Sequence, residues 1–499
     1  MDKTTRLAGI LLPISSLPSP YGIGTLGKEA YDFVDFLEKS HEKLWQILPL
    51  NLTSYGDSPY QSPSSNGLNY YFIDFRILEE KGLLSREEYI NADFGDDPEH
   101  VDYGKLFEYR IPILRTAFLR FDKTDPSFVK FVQEGEGRDF AFYMTLKVKN
   151  HYRPWYEWAD DEKNYTPELE EKIINDRQDD YLFYVWTQFE FYDEYFSLKN
   201  YANSKGVSII GDMPLYLARD SVEAYKYFEM FLFDENHNPT LVAGCPPDYF
   251  SPDGQLWGNP IYDWDYMEKT GFKWFNKRIE QNLKFFDILR IDHFRGVSAY
   301  YTIPFGNKTA REGKWVKGPG FSLFKDKTDL PIIAEDLGFM DEGVIKLLKE
   351  TGYPGMKVLE FAFDGDSLNS HKPSNSTANC VCYTGTHDNM PIKGFLEELN
   401  ENELKLYCDD LKKQCELFNV PYDGSNLYSL TRTTCLLCLG GPSFMSVLPI
   451  QDILYHGKES RLNEPSTLSD RNWTYRTKKS DFTDRLADIL FKDNQRFGR

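Results

Sequence analysis

Along the chain, short apolar runs alternate with polar or glycine-rich loops and then with stretches whose apolar residues recur at helical spacing. The runs fall at residues 9–14, 44–50, 207–210, 285–291, 330–334, 356–363, 380–383 and 444–450. Several are continuous, like Cys380-Val381-Cys382-Tyr383, with no polar residue at alternate positions. A strand wetted on one face alternates, and one covered on both faces does not. The pattern therefore predicts parallel strands covered by helices. Eight such strands interleaved with helices predict an α/β fold, the (β/α)8 (TIM) barrel, with a doubly wound sheet as the other arrangement that the alternation permits.

A minimal barrel needs about 250 residues, and the chain has 499. Large, mostly helical insertions are therefore expected around the carboxyl-terminal face of a single catalytic barrel spanning 1–499. The longest intervals place them at 51–205, 216–284 and 390–440, the first and last helical. In the first, Tyr181, Phe183, Tyr184, Trp186, Phe189 and Phe191 recur at helical spacing, which predicts a packing face and not a ligand site. Segment 244–260 carries four prolines and three glycines and is expected to be a shaped loop, neither strand nor helix.

Charge removes several function classes. With 57 basic and 78 acidic side chains the net charge is −21, which disfavours nucleic acid and anionic membrane surfaces as partners. No apolar window reaches the roughly 18 residues of a spanning helix, and the start shows no signal peptide, so a cytoplasmic location is expected. Cys435-Leu436-Leu437-Cys438 has redox or zinc spacing but no second pair nearby, so buried free thiols are expected.

Four apolar runs end in acids: Asp212, Asp292, Glu335 with Asp336, and Asp388. A single acid after a strand commonly caps the next helix. Four at one barrel rim would repel one another, and such clusters mark chemistry. Arg290 and Asp292 are two apart, so they share a face, and the guanidinium is expected to hold Asp292 ionised at lowered pKa. Glu335, on the next strand, is expected to have its pKa raised by that charge and to keep a proton. One acid low and one high is the division of retaining glycoside chemistry, in which the carboxyls stand about 5–5.5 Å apart. Taken alone, Arg290 with Asp292 reads better as an ion pair that only braces the barrel.

The segments Leu289-Arg290-Ile291-Asp292-His293-Phe294-Arg295-Gly296, Ala334-Glu335-Asp336-Leu337-Gly338, Thr384-Gly385-Thr386-His387-Asp388-Asn389 and Gly211-Asp212-Met213-Pro214-Leu215-Tyr216 resemble the amylomaltase (4-α-glucanotransferase, disproportionating enzyme) family of the α-amylase clan. Further matches follow in order across nearly the whole chain, among them Gly56-Asp57-Ser58-Pro59-Tyr60-Gln61-Ser62, Trp257-Gly258-Asn259-Pro260 and Ser460-Arg461-Leu462-Asn463. The resemblance implies transfer of α-1,4-glucan segments from a donor to the 4-hydroxyl of an acceptor glucan or glucose, through a covalent glucosyl-Asp292 intermediate. Malto-oligosaccharides and starch- or glycogen-derived glucans would be the substrates, without cofactor or metal. Asp292 matches the nucleophile, Glu335 the general acid/base and Asp388 the third carboxylate. Arg290, Asp212, His293 and His387 match donor-subsite positions, and Tyr60 the aromatic packed on the donor ring. Segment 244–260 matches the acceptor-side loop and offers Asp248, Tyr249, Phe250, Trp257 and Asn259. Its rings either stack on sugar and exclude water or pin the loop to the barrel.

Gly22-Ile23-Gly24-Thr25-Leu26-Gly27 fits the dinucleotide-binding string of an oxidoreductase, but residues 15–20 separate it from the strand, where that motif needs the turn at once. A catalytically silent glucan-binding protein would not need both Asp292 and Glu335. A plain α-glucan hydrolase would share every residue named, and differs only in what attacks the intermediate.

Overall fold

A computed structural model describes residues 3–247 and 251–499. Among them twelve strands form two sheets: β1 (Leu7–Leu11), β2 (Leu44–Gln46), β3 (Ser208–Met213), β4 (Leu241–Cys245), β5 (Gln255–Pro260), β6 (Ile288–Ile291), β7 (Ala299–Pro304), β8 (Lys314–Lys317), β9 (Ile332–Ala334), β10 (Gly355–Val358), β11 (Cys380–Tyr383) and β12 (Met445–Pro449). Eight are parallel, in the order β10-β11-β12-β1-β2-β3-β6-β9. That order follows the chain around a ring. Ala334 N donates to Pro354 O at 2.9 Å across the seam between β9 and the start of β10. The fold is the (β/α)8 barrel, and its eight strands coincide with the eight apolar runs.

Every residue of β6, β9, β11 and β12 is buried, as the lack of alternation requires. Packing against the barrel is close enough to dictate a glycine. A Cβ on Gly211 of β3 would stand 2.1 Å from the Phe286 ring.

Between β2 and β3 run the helices Tyr103–Arg120, Pro126–Glu134, Arg138–Lys149, Pro167–Asp176 and Gln178–Ser204. The aromatic stripe lies on the last of these, with Phe183, Tyr184, Trp186 and Phe191 fully buried. Between β11 and β12 lie Ile392–Glu398, Glu401–Leu417 and Leu427–Gly440. The Glu401–Leu417 helix opens on an Asn400/Glu403 capping box, which satisfies the free amides of its first turn. Cys435 and Cys438 are buried on the Leu427–Gly440 helix. Among the described residues no helix is long and apolar enough to cross a membrane.

The 244–260 segment departs from expectation. Its ends are strands, because β4 pairs antiparallel with both β5 and β7 in a four-stranded sheet β5-β4-β7-β8. Glycine and proline favour loops locally, yet here they serve the sheet. A Cβ on Gly244 would fall 2.1 Å from Gln255 O, and Pro260 closes an edge strand, where a missing N–H costs little. The Gly22–Gly27 string is a loop entering the helix Lys28–Lys39, with a 3-10 turn at Ile14–Ser16 between it and β1.

Candidate active site

The carboxyl ends of β3, β6, β9 and β11 bring Asp212, Arg290 with Asp292, Glu335, and His387 with Asp388 to one mouth of the barrel. Arg290, 3 % exposed, organises the floor. Its Nη1 donates to Asp212 Oδ2 at 2.5 Å and lies 3.1 Å from Asp292 Oδ1, so one guanidinium serves two carboxylates. Tyr60 arrives from the loop after β2. Its hydroxyl donates to Asp212 Oδ2 at 2.7 Å, and its ring stacks on His387, with centroids 5.1 Å apart and planes 18° from parallel.

Glu335 is fixed by backbone. His293 N donates to its Oε2 and Leu337 N to its Oε1, each at 2.7 Å. Phe294 N donates to Glu335 O at 2.9 Å, and Glu335 N to Ile291 O at 3.1 Å. The segment that carries Asp292 is thereby tied at three points to the residue that carries the second acid.

Burial pushes the Glu335 carboxyl up to about 8, against the lowering effect of Arg290 and with help from the Asp292 charge. Burial also pushes Asp292 up, to about 7. This corrects the expectation that Arg290 holds Asp292 low. Desolvation at the barrel mouth and the charges of Asp212 and Asp388 outweigh the guanidinium, whose nearer partner is Asp212. Both acids are held up together, and the pair titrates as a unit.

His293 is neutral, its pKa pushed to about 3 by burial and then by Arg295. It sits at φ +49°, the left-handed region that few side chains other than glycine occupy without strain. Trp257 from β5 meets its ring edge-on at 4.8 Å, and Tyr216 lies at 5.9 Å. His387 is 4 % exposed and also depressed by burial. Its Nε2 lies 3.4 Å from Asp388 Oδ1.

Asn259 is buried, and its amide is engaged within the protein. Nδ2 donates to Leu217 O at 2.8 Å, and Oδ1 accepts from Gln61 Nε2 at 3.2 Å. It ties β5 to the loops of Tyr60 and Asp212. Asp248, Tyr249 and Phe250 lie outside the described residues. Among the described residues no group of His, Cys, Asp and Glu has the arrangement of a metal site.

A family model described as 4-alpha-glucanotransferase matches residues 12–481. The chain belongs to the 4-alpha-glucanotransferase family. It is 45 % identical over 494 residues to the 4-alpha-glucanotransferase of Clostridium butyricum, covering 97 % of this chain and 99 % of that one. It is 40 % identical over 501 residues to that of Aquifex aeolicus, covering 98 % and 100 %. Among solved structures it is similar to the amylomaltase of Streptococcus agalactiae in complex with acarbose, with a TM-score of 0.93, 40 % identity and 99 % of each chain covered. The chain is thus a glycoside-processing transferase with 4-α-glucanotransferase activity.

Two residues of this glucanotransferase escaped the reading of the sequence as chemistry. Asn463 Nδ2 donates to Asp388 Oδ1 at 2.7 Å, and Arg461 Nη2 to Asp388 O at 2.7 Å. Asn463 N also donates to His387 O at 3.1 Å. The segment after β12 therefore clamps the third carboxylate. The 460–463 motif was visible as a resemblance, but nothing in its composition says which loop it grips.

Proposed function

We propose that the enzyme works by retaining double displacement, with Asp292 as nucleophile and Glu335 as general acid and base. The observation that carries this reading is the tie between Glu335 and the Asp292 segment, with Arg290 on Asp292 and burial raising the Glu335 carboxyl. Asp292 attacks the anomeric carbon while Glu335 gives its proton to the glycosidic oxygen, and the segment beyond the broken bond leaves with a free 4-hydroxyl. The donor glucosyl is then an ester of Asp292. An acceptor's 4-hydroxyl loses its proton to Glu335, attacks the same carbon from the face the leaving group vacated, and frees Asp292. The carboxylates of Asp292 and Asp388 oppose the positive charge of the oxocarbenium-like transition state.

Donor sugars lie along Tyr60, Asp212, His387 and Asp388, whose hydroxyl, carboxylates and imidazole suit sugar hydroxyls. Trp257, half-buried over His293, offers a face on the acceptor side, where stacking and exclusion of water favour a sugar over hydrolysis. Asp248, Tyr249 and Phe250 precede it in the sequence, in the segment that resembles the acceptor side of the family, and are assigned to acceptor binding on that resemblance. Asn259 supports that side by bracing. The substrates are malto-oligosaccharides and longer α-1,4-glucans, with glucose as an acceptor.

Incubation with maltotriose and resolution of the products tests the reading. Transfer yields glucose and a ladder of longer chains with a constant number of reducing ends. A steady rise in reducing ends would make the enzyme a hydrolase instead.

A further inference from the structure

The seam at which the barrel closes runs beside Glu335. β9 and β10 stand at the two ends of the eight-strand order, and among the described residues no ladder joins them. Ala334 N reaches across to Pro354 O at 2.9 Å. In a parallel ladder such a bond is answered by a second one, slanted the other way. β6 and β9 show the rule: Leu289, opposite Ile332, donates to Pro331 O, and Ile291, opposite Ala334, accepts from Glu335 N. By the same rule Ala334, opposite Gly355, would accept from Met356 N. Met356 N donates instead to Asp336 Oδ1, at 2.6 Å. A side-chain carboxylate stands where the backbone acceptor is missing.

The surroundings are built around that carboxylate. Asp336 is 6 % exposed. It lies so near Gly355 that a Cβ there would stand 2.4 Å from Oδ2 and 2.9 Å from Oδ1. As a charged acceptor it also bonds an amide more strongly than a carbonyl does. The two adjacent acids therefore turn to different strands. The Glu335 carboxyl takes His293 N and Leu337 N, whereas that of Asp336 takes β10.

This matters for Glu335. On the β6 side its backbone is held by Ile291 O and Phe294 N, and on the β10 side it has the Ala334 bond and the Asp336 carboxylate. Further along, Gly338, Phe339 and Met340 are exposed and give the segment no packing. Asp336 also lies between Glu335 and Leu337, whose N–H grips Glu335 Oε1 at 2.7 Å. Fixing Asp336 thus fixes both the acid and one of its two donors.

We propose that Asp336 is a positioning residue for the proton donor: it ties the end of β9 across the barrel seam and so holds the Glu335 carboxyl, with the Leu337 N–H, where the glycosidic oxygen arrives. The inference rests on the assignment of Glu335 as general acid.

First-turnover rates on two donors test it. Maltotriose and maltosyl fluoride deliver the same maltosyl group to Asp292, but only maltotriose needs a proton from Glu335 to lose its leaving group. Asp336→Ala should slow glucose release from maltotriose at least about ten-fold and fluoride release less than about three-fold, since a small misplacement costs the step that uses the misplaced group. Asp336→Asn, which keeps an acceptor for Met356 N, should restore most of the maltotriose rate. Gly355→Ala, whose methyl displaces the carboxylate without removing it, should give the same split as Asp336→Ala and serves if that variant fails to fold. Equal slowing on both donors, or an unchanged maltotriose rate, overturns the proposal. So does an Asp336→Asn rate no better than that of Asp336→Ala. Glu335→Gln is the reference. If it shows the split and Asp336→Ala does not, the positioning role fails and Glu335 keeps its assignment. If Glu335→Gln slows both donors alike, the assignment of Glu335 fails and that of Asp336 with it.

Discussion

The rate of disproportionation should follow the titration of Asp292 and Glu335. The competent free enzyme has Asp292 ionised and Glu335 protonated, so activity is lost below the first titration and above the second. Burial raises both carboxyls, to about 7 and about 8, so the profile is a bell centred near neutral or slightly alkaline pH that falls about ten-fold per pH unit beyond each limb, with limiting slopes of one. The assay is kcat/KM for glucose release from maltotriose across about pH 5 to 9.5, because kcat/KM reports the free enzyme, to which these values belong. A profile flat from pH 5 to 7 would show that Asp292 is already ionised there and that burial does not govern it. An absent alkaline limb would remove Glu335 as the proton donor.

Other consequences are as direct. Tyr60→Phe keeps the ring on His387 but removes the O–H donor to Asp212; a charge-assisted bond of about 1.5–3 kcal/mol predicts a loss of roughly ten- to a hundred-fold in kcat/KM with little change in Tm, and a loss under two-fold contradicts it. Asn463→Ala frees Asp388 Oδ1 from its 2.7 Å donor and should lower kcat/KM by about ten-fold, for about 1–2 kcal/mol of lost orientation. Asn463→Asp, which adds a like charge, should do worse. Glu42, 2 % exposed, is pushed up by burial to about 7 from 4.5. Its folded state therefore binds its proton the more tightly, and stability falls as pH rises from 4.5 to 7. Glu42→Gln, which keeps an acceptor for Asn494 Nδ2, should recover about 3 kcal/mol at pH 8 and nothing near pH 4, read from denaturant unfolding at both.

The barrel was legible because burial on both faces leaves a plain trace, an apolar run without alternation, and β6, β9, β11 and β12 are all of that kind. The sheet β5-β4-β7-β8 was not, because β5 is half-exposed and the two strands are punctuated by Gly244 and Pro260, whose local preference for turns was overridden by antiparallel pairing. At the site, the acids could be read from their place at the ends of strands. Their protonation could not. The sequence shows Arg290 two residues from Asp292, but not that Asp212 competes for the same guanidinium or how deeply both carboxyls are buried. Asn463 stayed hidden for a related reason, since its partner Asp388 is 75 residues away and only the closed barrel brings the two together.

The most direct test of the central claim is to trap the intermediate. Maltosyl fluoride, whose leaving group needs no proton from Glu335, is mixed with the Glu335→Gln enzyme, and the digested protein is analysed by mass spectrometry. A maltosyl ester on the peptide that carries Asp292 is the predicted result. No adduct, or an adduct on Asp212, Asp388 or any other residue, would contradict it.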